Sequence, residues 1–298
     1  MSTLKESSAI KSDLNDFIIE DGVLLKYTGH ASEITIPDGV ITIGARVFQR
    51  CDFITSVVMP DSVTTIGEFA FGKCRNLANI IFSKGIKTIC EGAFLACAVE
   101  FVSFPEGILD IGKSSFAGCK NLKEVVIPDG VINIGEWAFN CCDNFKKITF
   151  LGGVTNMNGS FSHVEIVNIM DLSKWCNMNF SGSDSNPIST AGKFYMNGKL
   201  VTHLEIPEGV TEIKRLAFCD CNALRHVTIP ESVNKIGVLA FGFSKSIESF
   251  TFKGYDIDFC GENNPFSTCG RKYKLICRRG SAIDNFAKKR KKPVEYLD

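Results

Sequence analysis

Two histidines, His203 and His226, stand 23 residues apart. In a chain that repeats at that length, they would lie side by side on neighbouring turns. Two imidazoles so placed could share a metal ion or a carboxylate, and with a third group they could serve a hydrolase. No third ligand recurs in that phase, however, and Glu205 is the only nearby acid, so the reading as two solvated surface residues outweighs the metal site. Other catalytic signatures are missing: there is no GxSxG elbow, no GxxxxGKS loop, no HExxH and no dinucleotide fingerprint. Acids recur at Asp38, Asp61, Glu106, Asp129, Glu208 and Glu231, each directly after Pro. Such a row belongs to turns, because an active site needs unlike environments that separate pKa values. No enzyme, cofactor or metal site is expected.

The chain has 13 cysteines. Six of them, Cys51, Cys74, Cys97, Cys119, Cys142 and Cys221, share one phase, with Ser244 in their place in the last unit. Zinc sites use CxxC-like pairs, which are absent here; the close pairs are Cys141-Cys142 and Cys219-Asp220-Cys221. The six are read as free, small, buried thiols in reducing surroundings.

The elements that position these residues follow from the period of 23, which takes precedence over local structure. Ile36-Pro37, Met59-Pro60, Phe104-Pro105, Ile127-Pro128, Ile206-Pro207 and Ile229-Pro230 set the phase. Within one unit come Val40, Ile43, Gly44, Phe48, Cys51, Ile54 and Val57, and the next repeats them as Val63, Ile66, Gly67, Phe71, Cys74, Leu77 and Ile80. The alternation Leu77, Ile80, Phe82 predicts a short strand with one buried face. Pro after it ends that strand. Gly44, Gly67, Gly112, Gly135 and Gly237 mark a corner that requires either left-handed backbone or close contact between coils, and Cys90 and Lys214 in the same slot argue against a strict positive φ. The row Phe48, Phe71, Phe94, Phe116, Phe139, Phe218 and Phe241 predicts a ladder of stacked rings about 4.8 Å apart. A repeat solenoid of short parallel strands and short helical turns follows, as a single elongated domain.

The unit Ile-Pro-x-x-Val-x-x-Ile-Gly-x-x-Ala-Phe-x-x-Cys-x-x-Leu-x-x-Val resembles the BspA-like class of leucine-rich repeats, over nearly the whole chain. The segment with Asp21-Gly22-Val23-Leu24, Tyr27 and Gly29 is similar to the family's N-terminal hairpin. So is the stretch holding Trp175-Cys176, Asn186-Pro187 and Tyr195-Met196-Asn197-Gly198. This resemblance implies a leucine-rich-repeat horseshoe that binds protein ligands, in many members as a cell-surface or adhesion molecule.

The expected organisation is a flexible leader over 1–16, a capping hairpin over 17–35, about six coils over 36–168, an irregular insertion with a hairpin at Asn197-Gly198 over 169–205, two further coils over 206–251 and a C-terminal cap over 252–298. In that cap Leu275 to Cys277 should be a strand and Ser281 the N-cap of a helix from Ala282 to Lys289, with Pro293 after it.

Lys plus Arg equals Asp plus Glu at 33 each, so no overall field draws the chain to nucleic acid or a membrane. Residues 1–17 lack the apolar stretch of a secretory signal, and no window nears the ~20 apolar residues of a membrane span. A cytoplasmic location is expected, with the cell surface, by a non-standard route, as the alternative that the resemblance implies. The basic C-terminal residues Arg271, Lys272, Lys274, Arg278, Arg279 and Lys288 to Lys292 read as a solvated face ahead of an anion-binding patch.

The strand face remains. Between its buried positions, Val58, Ile81, Phe101 and Val126 should form an exposed apolar patch, with His203 and His226 on the same face further along. These six are the candidate partner-binding residues for a protein or peptide ligand on a concave sheet. The expected state is a monomer; a self-assembling scaffold is the alternative.

Overall fold

The computed structural model describes residues 11–259, 264–270 and 273–297. Residues up to Lys123 together with 135–145 form one compact unit, and 124–134 together with the residues from Lys146 onward form another. Each is built from stacked solenoid coils, in agreement with the repeat.

In the first unit the coils are bonded to one another on three sides. On one side the parallel strands Glu33–Thr35, Ser56–Val58 and Asn79–Ile81 pair so that Glu33, Ser56 and Asn79 align. On the second side Val23–Tyr27, Thr42–Ile43, Thr65–Ile66, Thr88–Ile89 and Asp110–Ile111 form a parallel ladder, closed at its start by Phe17–Glu20 in an antiparallel hairpin. Strands of two residues are too short for alternation to reveal; their signal is the recurring Thr-Ile of Thr42-Ile43, Thr65-Ile66 and Thr88-Ile89.

The third side differs from the expected short helical turns. Arg46, Arg50, Phe69 and Lys73 take positive φ, so the chain swings its amides sideways instead of winding. The N–H groups of Arg46, Phe48 and Arg50 donate to the carbonyls of Glu68, Ala70 and Gly72 in the next coil at 2.9, 2.8 and 2.9 Å. A helix would direct those groups along its own axis and leave this side of the coils unjoined.

The ring ladder is present. Phe48 to Phe71, Phe71 to Phe94, Phe94 to Phe116 and Phe116 to Phe139 have centroid separations of 4.8, 5.3, 5.1 and 5.8 Å, with planes within 17° of parallel. At the glycine corner, close packing decides the residue: a Cβ on Gly67 would meet the Ile43 carbonyl oxygen at 2.7 Å, and one on Gly112 would meet that of Ile89 at 2.7 Å.

The cysteine row does more than fill space. The Sγ of Cys74, Cys97, Cys119 and Cys142 donates to the carbonyl of Phe48, Phe71, Phe94 and Phe116 in the preceding coil, at 2.9, 3.2, 3.2 and 3.2 Å. Burial raises the thiols of Cys74 and Cys142 to about 12 and that of Cys97 well above its usual range, so they stay protonated and able to donate. In the second unit Ser244 Oγ makes the same bond to the Phe218 carbonyl at 3.0 Å, and Cys269 Sγ makes it to that of Phe241 at 2.8 Å. This explains why Ser can replace Cys in the row.

The second unit continues the same building plan. Glu124–Ile127, Lys147–Phe150 and Ile166–Ile169 pair in parallel, and Asn133–Ile134, Asn156–Met157 and Asn179–Phe180 form the second ladder. The stretch 169–205 is irregular in sequence yet remains part of the solenoid. Asn179–Phe180 extends one sheet, and Tyr195–Met196 extends the other before turning antiparallel into Lys199–Leu200 through Asn197 (φ 49) and Gly198 (φ 73). Helices Leu172–Cys176 and Pro187–Ala191 take the place of turns. Buried Trp175 donates from Nε1 to the Ala217 carbonyl at 2.9 Å, and Asn186 Nδ2 donates to that of Leu216 at 2.7 Å. Those two bonds tie the stretch to the coil that follows.

His203–Glu205, His226–Ile229, Ser249–Phe252, Lys274–Cys277 and Val294–Tyr296 form the last parallel sheet. The helix Ala282–Arg290 starts at Ser281, whose hydroxyl accepts from the Asp284 N–H. Buried Asp284 accepts from the Gly280 N–H, from Lys288 Nζ at 2.8 Å and from Tyr296 Oη at 3.1 Å.

Candidate interaction face

Val58, Ile81 and Phe101 lie on strands of the first unit, and Val126, His203 and His226 on strands of the second. In the first unit Val58 and Ile81 are in register on adjacent strands, so their side chains are neighbours about 4.8 Å apart. Both point away from a core that buries Val57 fully. Ile81 is 61% exposed, Phe101 is 56% exposed and Val58 is 37% exposed. Apolar side chains this open, held by a hydrogen-bonded sheet, keep a costly surface in water. Ile81 and Phe101 border one notch, together with Ala78, Asn79, Ile80 and Glu100.

Val126 has a different setting. It is half-buried, on the strand Glu124–Ile127 and in register with Thr149. Its surroundings are polar and already paired: Lys147 Nζ lies 2.6 Å from Glu124 Oε1, and Asn168 Nδ2 donates to Thr149 Oγ1 at 3.2 Å. The patch expected from sequence is therefore strongly apolar at Val58, Ile81 and Phe101 and muted at Val126.

His203 and His226 are brought together as their spacing predicts, in register with ring centroids 4.6 Å apart and planes 37° from parallel. Each ring already has a partner for Nδ1: Thr202 Oγ1 at 3.0 Å for His203 and Ser249 Oγ at 2.8 Å for His226. The acid that approaches the pair is Glu248, with Oε2 3.8 Å from His226 Nε2, and it also faces Arg225 at 3.6 Å. Expectation placed Glu205 there. Glu248 was legible in principle, because it shares a phase with Arg225. Among the described residues no three His, Cys, Asp or Glu side chains gather as a metal site would need.

Several members of the other charged rows are taken up by the fold. Asp61 Oδ1 accepts the Lys84 N–H at 3.1 Å, and Asp129 accepts the Gly130 N–H and pairs with Lys174, as turn residues do. Lys174 holds the Asp129 carboxyl below its ordinary range. Of the basic residues, Lys274 pairs with Glu295 at 2.6 Å, Lys288 with Asp284, and Arg279 and Lys292 lie over the Tyr296 and Tyr273 rings at 4.1 and 4.0 Å. Arg271 and Lys272 lie outside the described residues. No helix among those described is long and apolar enough to cross a membrane.

No curated protein matches the chain by sequence. Among solved structures, it is similar to the T. pallidum leucine-rich-repeat protein TpLRR, at 24% identity over 72% of this chain and 90% of that one, with a TM-score of 0.50. A leucine-rich cell surface protein from Faecalibacterium prausnitzii is similar at 21% identity over 95% and 93%, with a TM-score of 0.37. The pneumococcal vaccine antigen PcpA is similar at 14% identity over 98% and 99%, with a TM-score of 0.40. The likeness to TpLRR shows the fold. The BspA-type leucine-rich-repeat region, in six copies, matches residues 19–98, 87–185 and 189–280. A match over most of the length makes this chain, with its stacked Phe rows, a member of the BspA-type leucine-rich-repeat family.

Proposed function

We propose that the chain is a non-catalytic interaction module that docks a protein or peptide ligand on its strand face, in the manner of an adhesion protein. Leucine-rich repeats of this family generally serve protein–protein contact, and the observation that supports a ligand face on this chain is the exposure of Val58 and Ile81 on paired strands and of Phe101 on the strand side of the following coil. Val126, His203 and His226 are proposed to add contacts on the second unit's strand side, the histidines through their ring faces and Nε2 atoms. Raised thiol pKa values remove the reactive thiolate from the core row, so that row is compatible with a cytoplasmic or a cell-surface setting.

The test is quantitative affinity capture with the intact chain and with the triple variant Ile81→Asp, Phe101→Asp and Val126→Asp. Partners recovered by the first should be lost by the second; recovery of the same specific partners by both refutes the face. Light scattering addresses self-assembly, where a mass that grows with concentration would move the chain to a scaffold role.

A further inference from the structure

We infer that the first unit accepts an extended, uncharged apolar polypeptide segment as an added strand along the open edge of Asn79–Ile81. This rests on the reading of the strand side as a ligand face and specifies the kind of ligand. The observation behind it is a coil one residue short. Phe71 to Phe94 spans 23 residues, whereas Phe94 to Phe116 spans 22, with the missing residue between Cys97 and Val99.

Two sides of that coil keep their bonds. Thr88 and Ile89 pair with Asp110 and Ile111, and the N–H groups of Phe94 and Ala96 donate to the carbonyls of Ser115 and Ala117 at 2.8 Å each. On the strand side the Ala98 N–H still donates to the Leu77 carbonyl at 2.9 Å, so the deficit falls on the strand that follows. On that side Asn79–Ile81 has Ser56–Val58 along one edge, while among the described residues no ladder joins its other edge to Phe101–Ser103. A notch of about 600 Å³ opens along that edge. Ile80 is only half-buried at its floor, although the corresponding Val57 and Val102 are 0% and 2% exposed.

The chemistry of the notch selects its occupant. In a parallel ladder the main chain of alternate residues faces alternate neighbours. Asn79 N–H bonds back to the Thr55 carbonyl and the Ile81 carbonyl accepts from Met59, which leaves the Ile80 main chain directed at the notch. A strand edge is completed by another strand, whose main chain supplies affinity and whose alternate side chains supply specificity. Ile81 and Phe101 offer apolar grips on the two walls. The Glu100 carboxylate at the rim is paired with Lys123 Nζ at 2.6 Å, so the notch itself offers apolar side chains and main chain rather than an unpaired charge.

The probe is a phage library of linear, cysteine-free dodecapeptides panned against the full chain, with recovered peptides measured by fluorescence polarisation. Selected peptides should be apolar and should lose about tenfold or more in affinity with Ile81→Asp. An N-methyl scan should weaken them by about tenfold at every second residue only, as lost main-chain hydrogen bonds require. A variant with one Asn inserted after Ala98 restores the full coil length and should close the notch and abolish binding, with its circular dichroism melt confirming that it folds. N-methyl losses without a two-residue period, or undiminished binding to a folded insertion variant, overturn the added strand. If Ile81→Asp still removes binding in that case, the broader ligand face survives. A library that yields no binder sensitive to Ile81→Asp overturns both.

Discussion

Phe94 stands inside its ladder, with a ring stacked on each side, and truncating it tests whether the rings act as a file. The side chain is fully buried between Phe71 at 5.3 Å and Phe116 at 5.1 Å, and Phe82 meets it edge-on at 5.7 Å. Removing a buried Phe to Ala costs about 3 to 5 kcal/mol in lost transfer energy and cavity, and three ring contacts place Phe94→Ala at the upper end, about 5 kcal/mol. Phe101→Ala, on an exposed ring, should change stability by no more than about 0.5 kcal/mol. Guanidinium unfolding followed by circular dichroism measures both. A double-mutant cycle adds the geometry: Phe71→Ala with Phe94→Ala should couple by about 0.5 to 1.5 kcal/mol, and Phe48→Ala with Phe139→Ala, four coils apart, should be additive within about 0.5 kcal/mol. Nearest-neighbour stacking is refuted if Phe94→Ala costs no more than Phe101→Ala, or if the distant pair couples as strongly as the adjacent one.

Ser115 carries a buried hydroxyl without a hydrogen-bond partner among the described residues, in the slot that Ala70, Ala93 and Ala138 fill in other coils; Ser115→Ala should raise stability by about 1 kcal/mol, and a lower melting temperature would contradict this. Cys119→Ser should preserve the bond to the Phe94 carbonyl as Ser244 does to Phe218, whereas Cys119→Ala should cost about 1 to 2 kcal/mol by the lost bond and the void; equal melts for the two variants would show that the donor is irrelevant. The Lys288 ammonium and then the Gly280 amide hold the Asp284 carboxyl below its ordinary 3.8. Its contribution is therefore complete above about pH 4 and is lost as pH falls through the lowered value, so Asp284→Asn should show a smaller drop in melting temperature between pH 7 and pH 2 than the unchanged chain.

The repeat carried most of this architecture in its letters, because Ile, Phe and Cys in fixed phase each report burial on one side of a coil. Less visible were features that depend on the backbone. The turn residues with positive φ, among them Arg46, Phe69 and Trp137, share no residue type, since their conformation is imposed by bonds to the next coil. The stretch after Ile169 lost its period because Trp175 and Asn186 satisfy the next coil with different side chains. On the candidate face, exposure at Ile81 and Phe101 followed from alternation. The missing residue before Val99 was countable from spacing, but its effect on sheet pairing required three-dimensional register. Glu248 escaped notice because proximity to His226 arises across a coil and not along the chain.

A coil fastened on three sides resembles a ring held by three independent clasps. One clasp can be undone while the remaining two hold the adjoining rings in step, so a deletion need not disturb the coils beside it. The twenty-two-residue turn at Cys97 to Cys119 demonstrates that tolerance. Length changes confined to the strand-side arc thus offer this architecture a second means of diversification: gaps can be opened between fixed neighbours at any level of the stack, separately from exchanging the amino acids displayed on it.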